Sequence, residues 1–292
     1  MHFTGQVWRP SFEADSLLLQ VTSGCMHNKC KFCSLYKGTP FRMSPEVEID
    51  MDLIELKKPF LKAKRVFLTG ANPIGLSFYK LKTIGEKIKS FLPHIESVGG
   101  FARISDIKNK TQDELSKLYS IGYNYISIGT ETGDDITLAY MNKGYTASDI
   151  VEQLHRLDNA GIKYHLTYLN GLSGSGNTER NALESAKIFN KSNPQSINIV
   201  GLTIFPESEL YKEVNAGKYI PASETEKLYE LQNFIKNIDI TTTINANTVS
   251  NTAPFVAKLP KDKDDVLEAL QGIINRFDEG ILSNYRNSIV SL

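Results

Sequence analysis

"NYISIGTETG", residues 124–133, decides the reading of the chain. Side chains alternate across a strand. Tyr125, Ser127, Gly129 and Glu131 therefore share one face, while Ile126 and Ile128 share the other. One face is apolar and the other polar, and the run ends on a carboxylate beside a glycine. An apolar face packed on helices and a polar face turned inward suit a barrel that holds a ligand in its lumen. The strands of a doubly wound sheet are more often apolar on both faces.

Working outward, the same kind of short apolar run recurs at 16–22, 65–70, 95–101, 164–170 and 196–205. Between these runs lie amphipathic stretches of helical period, among them 76–91, 111–120, 147–160 and 177–192. Thr111 with Glu114 three residues on, and Thr146 before "ASDIVEQL", are helix-start signals. Six strands each followed by helix predict parallel pairing with right-handed crossovers. The expected fold is α/β: a partial (β/α)6 TIM-like barrel over residues 15–205, preceded by an N-terminal segment, 1–14. A C-terminal α/β extension, 206–292, closes the barrel's open side, with helices at 222–237 and 263–276 around "DITTTINANTVSN". Pro59 predicts a kink or break in the first helical stretch.

Composition narrows the class of function. The 292 residues hold 41% apolar and 23% charged side chains, ordinary for a globular protein. Basic and acidic residues balance at 33 each, which argues against a dedicated nucleic-acid binder. "MHFTGQVWRP" carries no signal-peptide pattern, and no run approaches a membrane span, so a cytoplasmic protein is expected. In that reducing compartment clustered cysteines point to metal binding or catalysis.

All three cysteines lie in one stretch, "VTSGCMHNKCKFCSLYKGTPFR", residues 21–42. Cys25, Cys30 and Cys33 are spaced C-x4-C-x2-C directly after the first strand. In parallel βα folds the loops at the strands' C-terminal ends carry the chemistry. Three thiolates suit a soft metal site. A structural zinc would take a fourth ligand, for which His27 is available. A [4Fe–4S] cluster held by three cysteines would instead leave one iron open to a ligand from outside the protein.

On these residues the chain resembles the radical S-adenosylmethionine (radical SAM) superfamily, in particular the subgroup of oxygen-independent coproporphyrinogen oxidase and the elongator-type proteins. The family's usual spacing is x3 then x2, with an aromatic residue before the last cysteine. Phe32 fills that place, and the first gap is four. "LTGANP" (68–73), "SIGTETG" (127–133), "MNKGYT" (141–146), "TYLNGLSG" (167–174) and "PESELY" (206–211) resemble further family segments, so the likeness covers residues 15–215.

The resemblance implies a [4Fe–4S] cluster on Cys25, Cys30 and Cys33 and S-adenosyl-L-methionine as the second cofactor. It implies reductive cleavage to a 5′-deoxyadenosyl radical that takes hydrogen from a small-molecule substrate, with an external electron donor such as flavodoxin or ferredoxin. The matching positions imply cofactor contacts from Phe32, from the turn Gly70, Ala71 and Asn72, and from Arg103, Glu131, Lys143 and Thr167. No residue is singled out for the substrate step. With every thiol in the one loop, no auxiliary cluster can be built on cysteine. Two other functions are weighed: modification of RNA or protein, and a non-catalytic iron–sulfur electron carrier.

Several residues have plainer readings. "GLSGSGNT" (171–178) lacks the lysine of a phosphate loop and reads as a tight turn into a helix. His165 shares Thr167's face and reads as a hydrogen-bonded core residue. Tyr36, Lys37 and Arg42 follow the cysteines as substrate-facing or surface residues, and 245–251 as a lining of the barrel mouth.

Overall fold

The computed structural model describes residues 1–57 and 62–289; the kink expected at Pro59 lies outside the described residues. The chain divides into two compact units. The first comprises Met1–Asn28, Leu35–Gly129 and His155–Tyr164, the second Lys29–Ser34, Thr130–Leu154 and His165–Leu292.

In the first unit β1 (Leu17–Gln20), β2 (Arg65–Thr69), β3 (Ser97–Ala102) and the start of β4 (Tyr125–Glu131) lie side by side in chain order. Every pairing among them is parallel, with Gln20 beside Thr69, Phe67 beside Gly99, and Phe101 beside Ser127. Between the strands run α1 (Glu46–Leu56), α2 (Phe78–Phe91), α3 (Ile104–Lys108) and α4 (Gln112–Ile121). The expected cap of α4 is present: Thr111 accepts from the Glu114 backbone N–H, and Glu114 accepts from that of Thr111. Such a cap contributes about 1 kcal/mol.

The two strand faces differ as 124–131 predicts. Leu19, Val66, Leu68, Val98, Ile126 and Ile128 are buried on one face. On the other, Arg65 forms a bidentate ion pair with the buried Glu13 and donates to the Tyr125 carbonyl at 2.8 Å. A side chain at residue 99 would place Cβ 2.0 Å from that carbonyl, so Gly99 is what lets Arg65 cross the face.

The second unit takes the end of β4 and adds α5 (Asp135–Tyr140) and the start of α6 (Ala147–Ala160). Then come β5 (Lys163–Asn170), α7 (Thr178–Phe189), β6 (Ser196–Gly201), α8 (Glu209–Asn215) and α9 (Glu224–Asn237). They are followed by β7 (Thr242–Asn245), β8 (Val256–Leu259), α10 (Lys263–Ile274) and α11 (Glu279–Ser288). Strands β5, β6 and β7 pair in parallel, and β8 closes the edge antiparallel to β7. Thr167, Asn198 and Asn245 stand in one row across them. The opposite face is apolar: Tyr168 stacks on Phe234 of α9 at 4.1 Å, edge-on to Phe189 of α7.

The described residues of 206–292 hold four elements beyond the two expected helices: α8, β7, β8 and α11. Within "DITTTINANTVSN" (239–251), for which no element is specified from the sequence, Thr242–Asn245 pairs with β6. Its alternating burial, with Thr242 and Ile244 inward, is that of a strand, and β-branched residues suit it. Helix α11 is pinned by Arg286, whose guanidinium meets both oxygens of the buried Glu224 at 2.9 and 2.8 Å. Burial alone would push that carboxyl up; Arg286 and Lys227 overcome it and hold it at about 2.

Candidate active site

The stretch after β1 is organised by its backbone. Thr22–Ser23 pairs antiparallel with Arg42–Met43, so a two-residue ribbon closes the base of the cysteine loop. On the first unit's side this loop is tied to the turn after β2. Gly24 O accepts from Ala71 N at 3.3 Å, and Met26 N donates to Asn72 Oδ1 at 3.2 Å. Gly70 has φ +125°, and a Cβ there would lie 2.0 Å from Thr22 Oγ1 and 2.8 Å from Thr22 O. Only glycine allows this backbone conformation and this approach. Cys25 Sγ accepts from Asn28 N at 3.4 Å, which curls the loop about its first thiol.

Asn72 is held from behind. Its Nδ2 donates to both carboxylate oxygens of Asp106 at 3.2 Å, and the Arg103 backbone N–H donates to Asp106 at 2.7 Å. Lys110 donates to the carbonyls of Ile74 and Asp106 at 2.7 and 2.9 Å. Burial pushes Asp106 up, countered by the Arg103 and Asn72 hydrogen bonds, and the same burial lowers Lys110 to about 8. Breaking one partner in such a buried set typically costs about 1–3 kcal/mol. The turn is therefore preorganised by groups that sequence patterns do not mark.

Within the second unit the segment carrying Cys30 and Cys33 is fixed separately. Lys31 N donates to Met141 O at 3.2 Å, and Leu210 N donates to Lys31 O at 2.8 Å. The Lys31 ammonium pairs with Glu213 at 2.6 Å and lies 4.2 Å from the Tyr140 ring centroid. Tyr140 OH donates to the same carboxylate at 2.7 Å. Glu213 is pushed up by burial but pulled down further by Lys31 and Tyr140, so it is lowered on balance. Phe32 packs on a core of Met141, Leu169, Leu172, Leu202, Leu210 and Tyr219.

Beside Phe32 stands an ion pair. Lys143 Nζ is 3.2 Å from Glu131 Oε1, 5.7 Å from the Phe32 ring centroid and 5.4 Å from that of Tyr145. The lysine side chain is 3% exposed and the glutamate 14%. Glu131 adopts φ +68°, a left-handed conformation that costs a non-glycine residue roughly 1–2 kcal/mol. Strain of that kind concentrates where a side chain must be aimed. Thr130 Oγ1 donates to the Thr167 carbonyl at 2.6 Å, and Thr167 is half-buried in the polar row with Asn198.

Each unit thus gathers its own share of the expected site. Cys25, Gly70, Ala71, Asn72 and Arg103 fall in the first, and Cys30, Phe32, Cys33, Glu131, Lys143 and Thr167 in the second. All three cysteines are half-buried. Among the described residues no three His, Cys, Asp or Glu side chains form a group that could hold a metal ion as the chain stands. The donor set itself, three thiols on one loop with both halves of its backbone anchored, fits a soft iron–sulfur group.

The plainer reading holds for some of these residues, but Tyr36 is buried rather than at the surface. His165 is buried with Nδ1 2.5 Å from Ser196 Oγ, Arg42 pairs with Glu48, and 171–177 is a turn leading into α7. Sequence reasoning missed Lys31, Glu213, Asp106 and Lys110. The Lys31–Glu213 pair spans 182 positions, which no local pattern can signal. No helix among the described residues is long and apolar enough to cross a membrane.

The sequence matches the radical SAM superfamily over residues 19–189. An uncharacterised protein of Methanocaldococcus jannaschii is 25% identical over 261 residues, 85% of this chain and 75% of that protein. Among solved structures, the radical S-adenosylmethionine methyltransferase TsrM of Kitasatospora setae, with cobalamin and a [4Fe–4S] cluster bound, superposes with a TM-score of 0.57. It shares 16% identity and covers 69% of this chain and 39% of that one. Coproporphyrinogen III oxidase of Escherichia coli, a radical SAM enzyme, gives 0.57 at 16% identity over 76% of this chain and 51% of that one. The chain spans about half or less of these two proteins, and at this identity they share its fold: an α/β fold with a mostly parallel sheet. By a match over more than half of its length, the chain belongs to the radical SAM superfamily, enzymes whose cofactors are a [4Fe–4S] cluster and S-adenosylmethionine.

Proposed function

We propose that the protein cleaves S-adenosylmethionine reductively and abstracts hydrogen from a small-molecule substrate. The observation that carries the reading is the joining of the cysteine loop to the β2 turn, through Gly24 O to Ala71 N and Met26 N to Asn72 Oδ1. A loop of thiols and a glycine turn locked together form one preorganised platform, as a cluster and an amino acid bound side by side require. When bound, the cluster and S-adenosylmethionine supply a 5′-deoxyadenosyl radical, the hydrogen-abstracting agent.

The chain's own residues bind, orient and exclude water. Cys25, Cys30 and Cys33 hold the cluster as thiolates, and Phe32, packed on the Met141–Leu210 core, keeps water from it. The turn at Gly70, Ala71 and Asn72 offers backbone oxygens to the cofactor's ammonium, while the buried Asn72 carboxamide holds the turn against Met26 N and Asp106. Glu131 accepts from the cofactor's ammonium or ribose hydroxyls, with Lys143 beside it as counter-ion. Arg103 pairs with the cofactor's carboxylate. Thr167 lines the polar face. An external one-electron donor of the flavodoxin or ferredoxin type supplies reducing equivalents.

The test is anaerobic reconstitution of the parent and of single Cys25→Ala, Cys30→Ala and Cys33→Ala variants. The parent should bind about four iron and four sulfide per chain, and its reduced electron paramagnetic resonance spectrum should change when S-adenosylmethionine is added. Each variant should lose the cluster. A variant that keeps the full complement, or a parent spectrum indifferent to S-adenosylmethionine, contradicts the assignment.

A further inference from the structure

Glu131 ends β4 at φ +68°, and the residues flanking it are fastened to two different elements. Before it, Thr130 Oγ1 donates to the Thr167 carbonyl of β5 at 2.6 Å. After it, the chain lies directly on α7: a Cβ at Gly133 would come 2.8 Å from Ser185 Cα and 3.1 Å from Glu184 O. Gly133 N donates to Ser185 Oγ at 2.8 Å, and Thr132 Oγ1 donates to Asn181 Oδ1 at 2.5 Å. Thr132 Oγ1 also accepts from Asp134 N at 2.9 Å and stands 3.1 Å from Ser185 Oγ. With residue 130 tied to the sheet and residues 132–134 tied to the helix, residue 131 must make the turn between them.

The Asn181 amide is oriented from behind. Its Nδ2 donates to Glu230 Oε1 at 2.6 Å and to Tyr168 OH at 3.0 Å, and Tyr168 OH donates to the same carboxylate oxygen at 2.5 Å. Gly171 N donates to Glu230 Oε2 at 2.8 Å. Turning the amide over would set Asn181 Oδ1 against the Glu230 oxygen, so Nδ2 faces Glu230 and Oδ1 is left for Thr132. Thr132, Asn181, Ser185 and Glu230 are all fully buried. Apolar side chains would pack α7 and α9 on β5 at a lower desolvation cost. What polar groups with satisfied partners add is one defined register.

We propose that Thr132, Asn181 and Ser185 are positioning residues for S-adenosylmethionine binding: they hold Glu131 in its left-handed conformation and so aim its carboxylate, while Glu230 sets the Asn181 amide. The inference rests on the cofactor contact given to Glu131 above, and it names groups that act through Glu131 rather than on the cofactor. Without this clamp Glu131 would relax towards the strand conformation ordinary for a non-glycine residue, and its carboxylate would swing with the backbone.

The experiment measures S-adenosylmethionine affinity by titration calorimetry on the reconstituted whole chain, for Thr132→Val and Thr132→Ser, each alone and combined with Glu131→Ala. Valine keeps the shape and loses the hydroxyl, whereas serine keeps the hydroxyl. Thr132→Val should weaken binding about tenfold, as misdirecting one charge-assisted hydrogen bond does, and Thr132→Ser should stay within about threefold of the parent. Combined with Glu131→Ala, Thr132→Val should change affinity by less than about twofold, because no carboxylate remains to be aimed. Iron content should equal the parent's throughout. The inference is overturned if Thr132→Val binds like the parent, if it weakens binding equally in both backgrounds, if its loss of affinity follows a loss of iron, or if serine does not restore what valine loses. Ser185→Ala, which favours the helix, carries the same predictions should Thr132→Val not fold. A parent that binds no S-adenosylmethionine sinks the proposed function and this inference with it; a parent that binds it, with Thr132→Val unchanged, sinks the inference alone.

Discussion

Removing the Glu131 carboxylate should cost more than a surface charge can. Its partner Lys143 is 3% exposed and 3.2 Å away. At an effective dielectric constant near 20, two unit charges at that distance attract by about 5 kcal/mol before desolvation is subtracted. Exposed pairs are worth about 0–1 kcal/mol, whereas removing one member of a buried pair costs about 3–5 kcal/mol. Glu131 keeps 14% exposure, so Glu131→Gln should lose roughly 2–4 kcal/mol, at the lower side of the buried range. Lys143→Met should lose a similar amount, and the double variant should recover much of it, giving a coupling energy of about 2 kcal/mol. Urea unfolding of the four cluster-free proteins measures this. A coupling energy below about 0.5 kcal/mol would show that the pair behaves as a surface pair and refute the reasoning. The backbone adds an independent check. Because Glu131 sits at φ +68°, Glu131→Gly should be more stable than Glu131→Ala by about 1 kcal/mol, although both lack the carboxylate.

Three further outcomes follow from the geometry. Gly70→Ala should fold poorly or lose S-adenosylmethionine binding, since its Cβ would meet Thr22 at 2.0 Å; titration calorimetry showing parent-like affinity would contradict this. Glu230 is fully buried, accepts from Tyr168, Asn181 and Gly171 N, and is pushed up to about 7 because burial outweighs those donors. Its proton is held more tightly in the folded chain than at the ordinary value of 4.5, so this contribution is complete below pH 4.5 and lost as pH rises through 7. Stability should fall by up to about 3 kcal/mol across that window, and Glu230→Gln should flatten the slope; a parent with no slope means the donors win. Glu224, held at about 2, works in the opposite direction: its contribution is present above pH 4.5 and lost as pH falls towards 2. Arg286→Ala should move the acid-unfolding midpoint upward, and an unchanged midpoint would remove Arg286 as the cause.

What the sequence carried was local. The alternation of 124–131, the Thr111–Glu114 cap and the repeated strand–helix order each depend on neighbours within a few positions, and each is present in the fold. The cysteine spacing is equally local. Strand Thr242–Asn245 was not legible, because its partner Ser196–Asn198 lies more than forty positions away and its polar neighbours read as loop. Within the site, Asp106 bonding Asn72 spans 34 positions and Lys31 bonding Glu213 spans 182. Such contacts are set by packing, which no periodicity encodes. The fold adds Lys143 as the ion-pair partner of Glu131, a contact between residues twelve positions apart that no local pattern marks.

The central claim is that this chain uses S-adenosylmethionine as a radical source, and the most direct measurement is 5′-deoxyadenosine. Anaerobically reconstituted protein, reduced with dithionite and given S-adenosylmethionine, should release 5′-deoxyadenosine slowly without substrate and faster with it. The Cys30→Ala variant should release none. An intact, reduced cluster that yields no 5′-deoxyadenosine across a range of candidate substrates would contradict the account and leave an iron–sulfur electron carrier in its place.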